Sequence, residues 1–343
     1  MGVAGRVLEP LARMLGVRPE ALAPNNLWAL TGRRLVGAAI AREHPDLVLA
    51  TAPPPSALLA TAAAIGSLPY VAELRDLWAG NPFFDRGGRL LPALERRPLA
   101  NAAAVVTVTA GCRQALLALH PELESRLHVL PNGFDPALLD LRMPTSAREG
   151  RPATLIHAGA LYGDRTAEAL LAALGRPELQ GRVRLELLGV VDARTSRALS
   201  SVQNEVTVQA PVTWRDAIDR VIAADIAVVI NAPNTGGDMA VPSKLYEALA
   251  LGRPVLALTR RESDSDRLLT ELGQSTGIAE PDDPAAIAAA IERLLQEPPA
   301  PPSPEAIARF DRDEIAARYA GLLDELATRS SSATSSGTTT SRR

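Results

Sequence analysis

The sequence predicts an α/β protein of two domains, each a parallel sheet with helices on both faces. Three observations predict this. Short apolar runs alternate with longer helical segments, the pattern of successive βα units. The alternation is interrupted once, by the polar stretch Pro136–Pro152, and starts afresh at Ala153. And 343 residues with 47% hydrophobic content supply enough apolar surface for two ordinary cores.

In order, residues 1–44 read as helical, with Leu8, Leu11 and Leu15 and then Leu27 to Ile40 at helical spacing. The first strand is Asp46–Thr51 (DLVLAT). The stiff turn Pro53-Pro54-Pro55 follows, then a helix to about Ile65 that Ser56 is placed to cap. Pro69–Glu73 is the second strand and ends in Leu74-Arg75-Asp76-Leu77-Trp78. A polar loop over 81–88, a helix near Leu90–Asn101, a strand Ala104–Thr109, a helix Cys112–Leu119 and a strand Leu127–Leu130 complete the series. It closes on the sharp turn Pro131-Asn132-Gly133-Phe134-Asp135. The first domain is therefore set at 1–140.

The second domain, 150–300, opens with strand Thr154–Gly159 (TLIHAG) and a helix Thr166–Leu174. Strand Val183–Leu188, a helix around Arg194–Val202, strand Val206–Gln209 and a helix over 215–224 follow. The stretch Asp225–Leu258 is one strand–loop–helix–strand unit. Its apolar run Ile226–Ile230 reads as a buried parallel strand. The loop Asn231–Pro242 leads into a helix that Ser243 is placed to cap, Gly252 stops that helix, and Pro254–Leu258 is the next strand. Gly277–Ala279 is a last short strand, and Asp283-Pro284 starts a helix to Gln296. A final helix spans 305–328, and the Ser/Thr-rich tail 330–343 is compositionally disordered.

Composition excludes several functions. A net charge of −3 gives no reason to expect nucleic acid as a partner. One cysteine, Cys112, excludes an internal disulfide and a Cys-based metal cluster, and four scattered histidines form no HExxH-type pair, so no metal is expected. No apolar run reaches the length of a membrane span. Val3–Leu15, interrupted by Arg6, Glu9, Pro10 and Arg13, does not resemble a signal peptide. A soluble cytoplasmic protein is expected, with peripheral contact at the inner face of the membrane compatible.

Four loops of the second series lie at the carboxyl ends of strands, where open α/β sheets bind ligands. In Gly159–Arg165, Gly159 and Gly163 let a ligand approach the backbone. Arg165, just before a helix start, can pair with a phosphate beside exposed N–H groups. The second and third loops are Leu188-Gly189 and Pro211–Trp214. The fourth leads into Ser243, Lys244 and Glu247. Lys244 and Glu247 are three apart and share nearly one helix face, and Lys244 is the only lysine in the chain. A cation, a helix N-terminus and an acceptor carboxylate together suit a nucleoside diphosphate. Singly each is ordinary: a Gly-Asp-Arg loop is more often a plain βα turn, and a helical Glu or first-turn Lys is usually solvated. His157, near the phosphate loop, is the one histidine kept as a candidate; His44, His120 and His128 read as structural. In the first series Glu73 and Arg75-Asp76 are either an internal ion pair or cleft residues, and Trp78 is core sooner than a sugar-stacking platform.

The stretches DLVLATAPPPSALLA, VAELRDLW, VLPNGFD, LIHAGALYGDR, AIDRVIAADIAVVI and VPSKLYEALALGRPVLAL occur in the order found in a known family. Over roughly residues 45–296 the chain resembles retaining glycosyltransferases of the GT-B fold, family-4-like (glycosyl transferases group 1). The last stretch and PNGFD are the most specific. The resemblance implies two Rossmann-like domains, the donor sugar nucleotide held mainly by the second and the acceptor by the first, with the C-terminal helix returning to the first domain. Glu247 matches the second Glu of the family's Glu-x7-Glu motif, which holds the donor ribose. Arg165 matches the basic residue that contacts the diphosphate, which the amides around Met239–Lys244 would also face. Arg75-Asp76 falls where many members have a His-Asp pair, and so stands as the catalytic candidate.

Three departures accompany the resemblance. Met239 occupies the place of the first motif Glu, so its sugar contact is lost or supplied by Asp238. Arg75 replaces the usual His. The first domain is expected to be truncated, lacking the family's opening strand, Gly-Gly loop and two further strands. The function implied is metal-independent transfer of a sugar from a nucleotide-diphosphate sugar to a saccharide or lipid-linked acceptor, in synthesis of cell-surface polysaccharide. The sugar nucleotide is a donor substrate, and no cofactor is expected. A non-catalytic glycosyltransferase-like nucleotide- or partner-binding protein is the rival, and a nucleotide-sugar epimerase of similar fold lacks the acidic and His pairs it would need.

Overall fold

The computed structural model describes residues 29–81, 90–142, 150–202 and 206–336. The helical readings at Leu8, Leu11, Leu15 and Leu27, the loop beyond residue 81, the middle of the Pro136–Pro152 stretch and the end of the tail lie outside the described residues. The chain divides into two compact units, one drawn from Met1–Pro131 and Ala316–Arg343, the other Asn132–Ile315.

In the first unit β1 (Val48–Ala52), β2 (Tyr70–Leu74), β3 (Ala104–Thr107) and β4 (Leu127–Val129) pair in parallel, in that spatial order. Helix α1 (Ala29–Glu43) precedes β1, and α2 (Ser56–Ala64), α3 (Leu90–Asn101) and α4 (Ala110–Leu119) lie between the strands in sequence. β3 is buried along its length, as a strand covered on both faces must be. β1 forms one edge of the described sheet, with Leu49 exposed. Ser56 does not cap α2. Pro55 takes the cap position with helical angles (φ −58°, ψ −24°), so Ser56 falls inside the first turn. Thr109 does act as a cap, accepting from the Cys112 N–H, so the third strand ends earlier and α4 starts earlier than expected.

A buried polar group knits this unit. Glu95 accepts a hydrogen bond from the Ala79 N–H and lies 3.0 Å from His120 Nε2, both side chains being buried. It fixes the segment after β2, which carries Arg75 and Asp76, against α3 and the end of α4.

The second unit holds β5 (Ala153–Ala158), β6 (Val183–Leu188), β7 (Val206–Gln209), β8 (Ile226–Ile230), β9 (Val255–Leu258) and β10 (Ile278–Ala279). All pair in parallel in the order β10-β9-β8-β5-β6-β7. The chain builds outward from β5 through β7, then returns to β8 beside β5. The switch point therefore lies between β5 and β8, where their outgoing loops diverge and leave a crevice. The helices are α5 (Ala137–Asp140), α6 (Glu168–Leu174), α7 (Ala193–Ala198), α8 (Trp214–Ala223), α9 (Thr235–Asp238), α10 (Ser243–Ala250), α11 (Asp264–Glu271), α12 (Pro284–Gln296) and α13 (Pro304–Ile307). Successive β8 residues face opposite layers: Ile226, Val228 and Ile230 join the core with α6 and α12, Ala227 and Val229 that with α10 and α11.

Helix α11 has no counterpart in the sequence reading. Its first turn, Asp264, Ser265 and Asp266, is polar yet buried, capped by Ser263, and only Leu268 and Leu269 are apolar and buried. The unit boundary falls before Asn132 and not within Pro136–Pro152. Phe134 is buried in the second unit's core, and its backbone bonds to Phe310 and Arg312. A Cβ at Gly133 would overlap the Phe310 carbonyl, which explains the Asn-Gly-Phe turn. The last helix, α14 (Arg312–Ser336), starts after Asp311 and runs beyond the expected end into the Ser-rich stretch. Tyr319, Leu322, Leu323 and Leu326 of α14 pack on Val71, Ala104, Val106 and Leu130 of the first unit. Packed turns nucleate the helix, and extending a nucleated helix costs little.

Glu95→Ala leaves the Ala79 N–H and the buried His120 without their carboxylate. It is expected to destabilise the protein by about 2–4 kcal/mol. An unchanged denaturation midpoint for the first unit would remove this group from the fold's supports.

Candidate functional site

A cavity of about 260 Å³ opens at the carboxyl edge of β5, β6 and β8. Its walls are largely apolar, among them Ile156, Val190, Val212 and Val228, and its ionisable lining groups are Lys244 and Glu247. Both come from α10, whose N-terminus no side chain caps. Pro242, with extended backbone angles (φ −64°, ψ 144°), occupies the cap position, so Ser243 is the first helical residue and not the cap. The Ser243 and Lys244 N–H groups thus have no capping side chain, while that of Leu245 bonds to the Pro242 carbonyl (2.9 Å).

Gly159 and Gly189 lie close together at this edge. Both have positive φ (141° and 129°). A Cβ at Gly159 would collide with Lys244 Nζ, and one at Gly189 would lie 2.8 Å from the Gly159 carbonyl oxygen. Glycine here leaves room for the ammonium to lie against the strand end.

Lys244 Nζ lies 3.4 Å from His157 Nε2, and His157 Nδ1 lies 3.0 Å from the Val228 carbonyl. Burial, together with the Arg165 charge and against the pull of Glu247, lowers the Lys244 pKa to about 8. Burial, then Lys244, lowers that of the fully buried His157 to about 3, so its imidazole is neutral. Glu247 accepts a hydrogen bond from Trp214 Nε1 (3.0 Å), and Arg312 Nη2 stands 4.0 Å away. Trp214 itself lines the cavity and is half exposed. Arg165 lies just outside the lining. Its guanidinium stacks on Tyr162 and donates to the Tyr162 hydroxyl (2.8 Å).

The structure thus brings Gly159, Lys244 and Glu247 to one cavity, with Arg165 electrostatically close. Asp238 is placed differently: both its carboxylate oxygens accept from Arg260, so it stands in an ion pair. Arg75 and Asp76 belong to the other unit, exposed at the end of β2. Trp214 as a partner of Glu247 escaped the sequence reading, although its loop did not. The two are 33 residues apart, and nothing local links them. Among the described residues no group of three or more His, Cys, Asp or Glu could hold a metal ion, and no helix is long and apolar enough to cross a membrane.

Two parallel α/β units in one chain, the second with a ligand-sized cavity at its switch point, define the GT-B class with two Rossmann-like domains. Residues 5–138 match Glycosyltransferase Family 4 and residues 152–297 match Glycosyl transferases group 1, and the chain belongs to these glycosyltransferases. In fold it is similar to sucrose-phosphate synthase from Thermosynechococcus elongatus (19% identity, 90% of this chain and 81% of that one, TM-score 0.65). It is also similar to Anabaena HepE in complex with UDP-glucose (19%, 85% and 82%, TM-score 0.62). A third likeness is the lipopolysaccharide outer core galactosyltransferase WaaB (12%, 87% and 80%, TM-score 0.62). No curated protein is similar to it in sequence.

Because Lys244 is the only lysine, reductive methylation with 13C-formaldehyde labels only it and the N-terminal amine, and the NMR signal that Lys244→Met lacks reports its titration. The ammonium is expected to lose its charge as pH rises through about 8, against an ordinary value of 10.5. A midpoint near that ordinary value would mean that the group is solvated and not held at the strand edge.

Proposed function

We propose that the protein transfers a sugar from a nucleoside-diphosphate sugar to a saccharide or lipid-linked acceptor, with retention of configuration and without a metal ion. The observation that carries this reading is the convergence of Lys244 and Glu247, one helical turn apart, on an apolar cavity beside an uncapped helix N-terminus. The apolar wall suits a nucleobase, Glu247 accepts from ribose hydroxyls, and Lys244, Arg165 and the α10 amides, with Ser243 among them, face the diphosphate. Gly159 gives the diphosphate access to the backbone. The two cations stabilise the leaving diphosphate as its charge develops. Arg75 and Asp76 belong to the acceptor side as catalytic candidates. The likeness to a HepE structure holding UDP-glucose supports a sugar nucleotide as donor. A role in cell-surface polysaccharide synthesis, in the cytoplasm at the inner face of the membrane, completes the reading.

Glu247→Ala removes one or two charge-assisted hydrogen bonds and is expected to weaken UDP binding about tenfold. Unchanged affinity by calorimetry would sink the assignment. One arrangement favours a second reading, a nucleotide-binding protein without turnover. Met239 stands where a carboxylate is expected, and Asp238, its nearest substitute, is engaged by Arg260. Binding of UDP-glucose with no release of UDP, with or without saccharide acceptors, would favour that reading over the first.

A further inference from the structure

We propose that His157 is a positioning residue, which fixes the Lys244 ammonium at the diphosphate site by accepting one of its N–H bonds. The inference rests on Lys244 facing the diphosphate, as in the function proposed above.

The polarity of the chain of contacts follows from what each atom can do. The Val228 carbonyl can only accept, so His157 Nδ1, 3.0 Å away, carries the proton. A neutral ring protonated there presents a lone pair at Nε2. An ammonium can only donate, so Lys244 Nζ, 3.4 Å away, is the donor to Nε2. The sequence Lys244 to His157 to Val228 is therefore directional, and it ties α10 to β5 and β8 on either side of the switch point. Gly159, two residues after His157, leaves the space Nζ occupies. Burial keeps the ring neutral, which preserves its acceptor.

A satisfied core histidine is the alternative. Yet β5 is otherwise filled by Ala153, Thr154, Leu155, Ile156 and Ala158. An aliphatic side chain would fill the place without a polar atom to satisfy. What the imidazole adds is a fixed acceptor beside an ammonium that otherwise has a flexible four-carbon stem. Among the described residues no other hydrogen bond to that ammonium is found, which leaves its remaining N–H groups for a ligand.

Calorimetry of UDP and of uridine with wild type, His157→Leu, Lys244→Met and the double variant tests this. Each single variant is expected to weaken UDP about tenfold. Uridine binding should be unchanged, and the double variant should be no weaker than Lys244→Met. The proposal is overturned if His157→Leu binds UDP as wild type does, if it weakens uridine as much as UDP, or if the double variant loses a further tenfold or so. If Lys244→Met leaves UDP binding intact, the nucleotide-site reading itself fails and takes this inference with it. A loss in Lys244→Met without one in His157→Leu overturns the inference alone. Should His157→Leu not fold, 15N-histidine NMR of the wild type and Lys244→Met decides. A neutral Nδ1–H tautomer whose Nε2 resonance moves in the variant supports the proposal. An Nε2–H tautomer, or a resonance that does not move, overturns it.

Discussion

The second unit is arranged around the need to keep an ammonium charged at the half-buried edge of a parallel sheet. Burial and the nearby Arg165 both disfavour the Lys244 cation, and Glu247 is the one opposing charge that favours it. Such a group is a liability in an empty site, because desolvated charge without a full set of partners costs stability. It becomes favourable when an anion completes its coordination. The surrounding features point the same way. The switch point between β5 and β8 makes the crevice, α10 delivers an uncapped N-terminus to it, and Gly159 yields the volume Nζ needs. Each would be a weak signal alone; together they support the proposed site for a multiply charged anion attached to something apolar.

Ile226–Ile230 was legible because a parallel strand buried on both faces is apolar along its length. Val183–Leu188, with Arg184 exposed, and the edge strand Val206–Gln209, with Thr207 and Val208 exposed, were legible from alternating residues instead. All three are bounded in the structure as expected from sequence, and so is the helix Leu90–Asn101. Helix boundaries set by caps were less legible. At Ser56 and Ser243 a residue of the preferred capping type follows a proline, and at both the proline takes the cap position. Helix α11 was invisible because its buried first turn is polar, satisfied by contacts such as Glu262 and Arg261 with Asp266 that no periodicity announces. The unit boundary was misplaced because Phe134 looks like part of a loop until it is seen paired with Phe310 and Arg312.

The candidate site divides along the same line. The pairing of Lys244 with Glu247 is a matter of spacing on one helix, and spacing is written in sequence. The partners that orient them come from elsewhere in the chain: Trp214 on Glu247, His157 under Lys244, Arg260 on Asp238. In the sequence His157 is marked only by its position near the strand end. Its tautomer is dictated by Val228, 71 residues away.

The division of charge at the site bears on whether binding and turnover are coupled. Interactions accelerate a reaction only if they strengthen as the transition state forms. A diphosphate gains negative charge as the sugar bond breaks, so a cation held in low dielectric discriminates between ground and transition states more than an exposed one does. On that argument, in the proposed reaction, Lys244, held against the strand end, would matter more to leaving-group departure than Arg165, which stacks on the exposed Tyr162. In the proposed reaction Glu247, by contrast, would meet a ribose whose charge does not change, so its contribution would be uniform binding. The sugar itself has the least provision: Met239 offers no acceptor side chain beyond a thioether, and Asp238 is turned to Arg260. In the proposed reaction the selection of the sugar therefore falls to groups other than this pair, while the nucleotide half of the donor carries most of the affinity.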